Sequence, residues 1–243
     1  MVATITEKGP PVSPEDLERV ATYAVDLVPG DVSGGALVGL GSGRAASAFV
    51  RALGARARQG LLIRGVPTSE STAALAREVG IPLVDLPDTP LDLTVDGADE
   101  VNPQLDMIKG FGGALVRERI VAAASRRQVI LVTADKLVSR LGARGRVPVE
   151  IIPFARPFVE SRLRALGCRP EVRRADGQPF VTDNRNWILD CGIDPLDDAG
   201  ALDRALRRVP GIVDTGFFLG TADTVLVADA GTVRTLRPRG AGG

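Results

Sequence analysis

Between residues 36 and 133, short apolar runs of strand length alternate with segments of helical period, and this alternation limits the fold more than any other feature of the chain. Strand character falls at 36–40, 61–66, 82–86, 91–96 and 128–133, with helices expected at 45–57, 71–79 and 112–125. A first helix is expected to open at Ser13-Pro14-Glu15-Asp16, where a capping serine precedes proline, and to run to about Val28. Strands separated by helices pair in parallel, so the expected fold class is α/β: an open, mostly parallel, Rossmann-like sheet with helices on both faces. In such a sheet ligands lie at the carboxyl ends of the strands, where the loops at 39–44, 66–69 and 96–100 begin.

From Val147 the period changes. Strands are expected at 149–154, 169–174, 180–190 and 212–217, a turn at Asp176-Gly177, and helices at 157–166 and 199–209. That is the β-α-β-β-α-β order of a smaller ferredoxin-like α+β domain. Two last strands, 224–228 and 232–236, are expected to return to the first sheet, leaving 238–243 as a disordered tail. The expected division is therefore residues 1–146 with 223–243 as the α/β catalytic domain, and 147–222 as the inserted smaller one.

Composition narrows the chemistry. The chain has no histidine, which removes the commonest general base, the usual zinc ligand and the usual hydrolytic triads. Acid–base work then falls to carboxylate, lysine, thiol or the single tyrosine, Tyr23, with carboxylate leading. Lys plus Arg number 30 and Asp plus Glu also 30, so no overall charge favours nucleic acid or an anionic membrane surface. Cys168 and Cys191 lack metal-site spacing and are expected to be buried reduced thiols. The polar, proline-containing start and the absence of any membrane-length apolar segment lead us to expect a cytoplasmic protein.

Three segments could carry chemistry. Gly39-Leu40-Gly41-Ser42-Gly43-Arg44-Ala45-Ala46 follows a strand and opens a helix, so its amides could hold a phosphate. It also satisfies a dinucleotide fingerprint, but the next strand ends Arg64-Gly65-Val66 without the ribose-binding acid. Asp96-Gly97-Ala98-Asp99-Glu100 leaves a strand within a stretch, 78–106, that has eight carboxylates and no Lys or Arg; it could bind sugar hydroxyls or a hard ion such as magnesium. Lys109-Gly110-Phe111-Gly112-Gly113 sets an ammonium beside backbone donors suited to an oxyanion. In the following helix Glu118 has apolar neighbours at i±3 and i±4, which would raise its pKa if that face were buried. Arg117 and Arg119 have apolar neighbours too, and an exposed, arginine-paired stripe fits the same pattern.

These segments resemble the type A ribose-5-phosphate isomerases. The likeness extends through Val66-Pro67-Thr68-Ser69, Ala114-Leu115 with Arg117-Glu118, Asp135-Lys136-Leu137-Val138, Pro148-Val149-Glu150-Ile151-Ile152-Pro153-Phe154-Ala155, Thr182-Asp183-Asn184 and Leu189-Asp190-Cys191, covering nearly the whole chain in order. The resemblance implies interconversion of ribose 5-phosphate and ribulose 5-phosphate through an enediol in the pentose phosphate pathway, with no metal and no organic cofactor. It implies Glu118 as the base, Lys109 and the backbone at Gly110 and Gly112 as the enediolate site, and Asp96 and Asp99, with Gly97 and Ala98, as hydroxyl and ring-opening groups. Lys136 would be a further substrate contact, and Gly41, Ser42, Gly43, Arg44 and Ala45 the phosphate loop.

The chain departs from the family pattern at Arg44-Ala45, where hydroxyl residues are usual, and in the first helix, which lacks the usual lysine around Leu17-Glu18-Arg19. Arg44 is expected to supply the missing cation, since a guanidinium grips phosphate bidentately. Phe111 stands where glycine is usual and is expected to stiffen the loop or cap the sugar; Arg185 is a further departure. The resemblance also implies a homodimer or homotetramer. The alternatives weighed are a sugar-phosphate-binding sensor domain, for which the segment before residue 14 is too short to add a DNA-binding module, and a related sugar-phosphate deaminase or coenzyme A transferase.

Overall fold

Ser13 opens the first helix as its spelling predicts: its hydroxyl accepts from the Asp16 amide and Pro14 takes the first helical position of α1 (Pro14–Val25). The computed structural model describes residues 13–238, so the polar leader and most of the expected tail at 238–243 lie outside the described residues. Then come β1 (Ala36–Leu40), α2 (Gly43–Arg58), β2 (Ile63–Pro67), α3 (Glu70–Glu78), β3 (Leu93–Gly97), a short hairpin of β4 (Glu100–Val101) and β5 (Met107–Ile108), α4 (Leu115–Ala123) and β6 (Gln128–Thr133). The next stretch holds β7 (Arg146–Ile151), α5 (Arg156–Ala165), β8 (Arg169–Val172), β9 (Arg174–Ala175), β10 (Gln178–Pro179), β11 (Trp187–Gly192), α6 (Ala199–Arg207) and β12 (Ile212–Thr215). It is followed by β13 (Phe217–Phe218), β14 (Thr224–Asp229) and β15 (Thr232–Leu236).

The large sheet has the order β15-β14-β6-β3-β1-β2, parallel throughout except for the antiparallel edge β14–β15. Its central strands are apolar at successive positions because both faces are covered. Val129 and Leu131 of β6 join the core beneath α1 and α2, while Ile130 and Val132 join the opposite core with Leu115 of α4 and Phe218. Leaving β1, the chain goes first to β2 on one side and then to β3 on the other, so a crevice opens where Gly41 follows β1 and Asp96 ends β3.

A four-stranded antiparallel sheet, β12-β7-β11-β8, has the expected β-α-β-β-α-β chain order and packs around Val147, Val149, Leu163, Leu189 and Cys191, a core to which Ile108 and Leu141 also contribute. Cys168 and Cys191 are both buried, free thiols in this core.

Three expectations need correction. Residues 82–86 make only an isolated bridge, Gly65 with Leu83, because Pro82 interrupts the ladder and the segment runs along a sheet edge. The long strand expected at 180–190 begins only at Trp187: Thr182 and Asn186 close a turn with Arg185 at φ 65°, as polar turn formers favour. The strand expected at 212–217 breaks at Gly216, which has no room for a side chain against the Lys109 carbonyl, and its end becomes β13 in a separate three-stranded sheet, β13-β5-β4. The β4–β5 hairpin was not foreseen; Asn102 builds its turn by accepting from the amides of Gln104 and Asp106.

Close approach of α4 to the sheet depends on Gly39. A methyl group there would lie 2.5 Å from both Thr94 Oγ1 and Val121 Cγ1. Gly39→Ala is expected to cost about 1–3 kcal/mol by overpacking, read as a lowered midpoint in thermal or urea unfolding.

Candidate active site

The loop after β1 presses against the end of β3. The Gly41 amide donates to the Val95 carbonyl at 2.9 Å. A Cβ on Gly41 would lie 2.2 Å from Asp96 Oδ1, so only glycine allows this contact. Asp96 Oδ1 accepts from the amides of Ser42 (3.0 Å) and Gly97 (2.7 Å). Gly43, at φ 84°, then turns the chain into α2, whose first-turn amides have no partners within the helix. Ser42 does not cap α2; its hydroxyl shares a hydrogen bond with Thr68 Oγ1 at 2.7 Å.

Lys109 follows β5 and sends its ammonium into the same crevice. Nζ donates to Asp96 Oδ2 at 2.8 Å and to the Gly97 carbonyl, and lies 3.2 Å from Glu118 Oε2. The last contact is an ion pair, and Glu118 Oε2 accepts no well-aligned hydrogen bond. All three side chains are buried, none more than 5% exposed. Burial and the negative charge of Asp96 push the Glu118 pKa up to about 7, with Lys109 opposing them. Burial works against the Lys109 charge, but Asp96 and Glu118 outweigh it and hold the proton more tightly than in an ordinary lysine.

Asp99 lies across the crevice and accepts from the Phe111 amide at 2.9 Å. Burial raises its pKa against the opposing influence of that amide and of Lys109 and Lys136. Glu100, the third carboxylate of the motif, is structural: it accepts from the amides of Gly142 (2.7 Å) and Arg144 (2.6 Å). Asp96 and Asp99 therefore face different partners rather than one shared ion position.

The flanking arginines resolve the ambiguity of α4. Successive helical positions are about 100° apart, so Glu118 points inward while its neighbours leave on either side. Arg117 reaches Glu70 Oε1 at 2.9 Å and Asn184 Oδ1 at 3.1 Å. Arg119 pairs with Asp214 and donates to the carbonyls of Thr215 (2.8 Å) and Phe217 (2.7 Å).

These groups surround a cleft of about 270 Å³, lined by Ser42, Gly43, Arg44 and Ala45 at one end and by Lys109, Gly110, Gly112 and Glu118 at the other. Gly97, Ala98, Asp99 and Lys136 line it between. Gly41 and Asp96 sit behind this wall. Phe111 does not cap the cleft: its ring packs with the core of the smaller sheet under the Arg146 guanidinium, 4.3 Å away, and only its amide serves the site. Leu17, where the first helix lacks the usual lysine, also lines the cleft, as do three residues not singled out in the sequence, Leu131, Val132 and Thr133. For the last three the signal was available, since they lie toward the carboxyl end of a parallel strand. A larger groove of about 1160 Å³ between α3 and α4 holds Arg117 but neither Glu118 nor Lys109, and its size does not make it the chemical centre.

The family model for ribose 5-phosphate isomerase A (phosphoriboisomerase A) matches residues 64–232. A ribose-5-phosphate isomerase A of Roseiflexus sp. (strain RS-1) is 49% identical over 215 residues, covering 87% of this chain and 91% of that protein. The solved ribose 5-phosphate isomerase A of Methanocaldococcus jannaschii superposes with TM-score 0.85 at 40% identity, covering 93% of this chain and all of that one (100%). A D-ribose-5-phosphate isomerase solved in complex with phospho-erythronic acid gives TM-score 0.85 at 32% identity, over 93% of this chain and 100% of that one. On this agreement of sequence over most of its length and of fold, the chain belongs to the ribose 5-phosphate isomerase A family.

Proposed function

We propose that this cleft interconverts ribose 5-phosphate and ribulose 5-phosphate with Glu118 carrying the proton between C2 and C1 of the open-chain sugar. The observation that carries the reading is a buried carboxylate on the cleft wall, its pKa near neutrality, 3.2 Å from a buried ammonium. Glu118 takes the C2 proton, the electron pair forms the C1–C2 double bond, and the former carbonyl oxygen O1 becomes the enediolate oxygen. Lys109 and the backbone at Gly110 and Gly112 stabilise that oxygen. As the O2 proton passes to O1 and O2 becomes the carbonyl, Glu118 returns its proton to C1. Phospho-erythronic acid, bound by a solved relative, carries a carboxylate able to mimic such an enediolate, which supports the reading.

Asp99, with its raised pKa, moves a proton from the anomeric hydroxyl to the ring oxygen on ring opening. Asp96 acts from behind, keeping Lys109 charged and the Ser42 amide oriented. The phosphate occupies the N-terminus of α2, held by the amides of Gly43, Arg44 and Ala45 and the Ser42 hydroxyl, with Arg44 and Lys136 as cations.

The same reading makes the protein a cytoplasmic homodimer or homotetramer whose partner is a small sugar phosphate rather than nucleic acid. Balanced charge supports this, and no helix among the described residues is long and apolar enough to cross a membrane. Symmetric dimers are also the commonest assemblies. The β-α-β-β-α-β chain order of the antiparallel sheet and the return of β14 and β15 to the large sheet support treating 147–222 as the inserted domain and 1–146 with 223–243 as the catalytic one.

Ribulose 5-phosphate formation by the purified protein is expected to survive chelator, and Glu118→Gln to lower kcat by about 10²–10⁴-fold while sugar-phosphate binding persists in calorimetry. Turnover by that variant near the unmutated rate would refute the assignment, and absence of turnover in the unmutated protein would favour a binding role. Because Glu118 must be deprotonated to act and its pKa is raised, kcat/KM is expected to rise with pH and level off above about 7. An acid limb near the ordinary glutamate range would contradict that environment. Arg44→Ala is expected to raise KM about tenfold and leave kcat within about twofold; an unchanged KM would remove Arg44 from the phosphate site.

A further inference from the structure

We propose that Phe218 and Arg119 are positioning residues that set the distance between Glu118 and Lys109 by tying both to one short segment, residues 214–218, which runs from the end of β12 through Gly216 into β13. The inference rests on Glu118 as the base and adds what holds it in register.

Two independent attachments converge on this segment. From α4, Arg119 pairs with Asp214, donates to the Thr215 and Phe217 carbonyls, and lays its guanidinium 4.0 Å from the centre of the Phe218 ring. Arg119 is the residue next to Glu118, so this grip fixes the turn of α4 that presents the carboxylate. From the other side, the Lys109 amide donates to the Gly216 carbonyl at 2.9 Å, and Ile108 and Met107 pair with Phe217 and Phe218. The Lys109 ammonium lies 5.3 Å from the centre of the same Phe218 ring.

Phe218 is fully buried and so presents a dry aromatic surface to two cations, where such contacts are strongest. Asp214, itself buried, is held by Arg207 Nη1 at 2.9 Å and by the Thr215 amide at 2.8 Å, which anchors the far end of the clamp. A segment outside the cleft thereby controls the spacing of two groups within it.

The charged groups facing Glu118 are Lys109, Asp96 and Asp99. Lys109 alone among them favours the carboxylate, so loosening it must drive the acid limb of kcat/KM to higher pH. Phe218→Leu, which removes the ring and keeps the strand, is expected to lower kcat about tenfold and to move the acid limb up by about half a unit or more. KM should stay within about twofold, since the N-terminus of α2 is untouched. Arg119→Lys, which keeps a cation but loses the fork to the two carbonyls, should act in the same direction.

Thermal midpoints are read alongside. A lowered midpoint with an unmoved acid limb and near-normal kcat would mean that the segment is structural only and would overturn the proposal. So would recovery of no folded protein from either variant, which would assign the segment to folding instead. Glu118→Gln assayed beside them separates the two levels of inference. If that variant stays active, the base assignment fails; if it is inactive while Phe218→Leu and Arg119→Lys behave normally, only the positioning role fails.

Discussion

The buried ammonium of Lys109 holds the centre of this molecule together. Two carboxylates and a carbonyl, from the end of β3 and from α4, converge on one nitrogen, and none of the three charged side chains has appreciable access to water. Desolvating such charges is costly, and only their mutual attraction and the amides around Asp96 offset that cost. One cation cannot satisfy two carboxylates equally. Asp96 accepts from two amides and the aligned ammonium; Glu118 has the ion pair with Lys109, and burial and the Asp96 charge leave it easier to protonate than an ordinary glutamate. The asymmetry leaves a buried carboxylate whose pKa lies near neutrality.

Much of the surrounding fold follows from bringing these groups together. Gly39 lets α4 lie close to the sheet, Gly41 lets the loop after β1 rest on Asp96, and Gly216 lets the segment after β12 touch the Lys109 backbone. In each place the missing side chain is replaced by direct contact between elements distant in sequence. The large sheet supplies the crevice, and Asn184 and Thr215 hold α4 from its two sides through Arg117 and Arg119. Where two neighbouring arginines seemed to compete with Glu118 for burial, each finds its own acidic or carbonyl partners on a different side of the helix.

Periodicity and punctuation made most of the architecture legible. The capping spelling at Ser13-Pro14, the all-apolar run of β6 and the Asp176-Gly177 turn are local signals, and each lies where such signals direct the chain. Errors came where a partner far away decided the outcome. Residues 82–86 have strand character but only one bridging neighbour, and Phe217 leaves its expected strand because β5 offers it a pairing edge. The glycine loop, the Asp96–Asp99 pair and the Lys109 loop could be marked as chemical by residue type and place. The side chain of Phe111 could not be aimed: a loop residue between two glycines has no periodicity to assign it a face, and the apolar core that claims it lies in another sheet.

By itself, then, the sequence determined the parallel α/β layout, the absence of imidazole chemistry and the segments from which a site could be made, because these depend on composition and short-range pattern. Only the tertiary structure decided which of three consecutive charges on α4 is the buried one. It also decided that Asp96 stands behind Lys109 and that Phe111 turns away. Those outcomes are set by desolvation and by pairing between groups as far apart in the chain as Arg119 and Phe217, and no local spacing encodes how many charges one buried ammonium will be asked to balance.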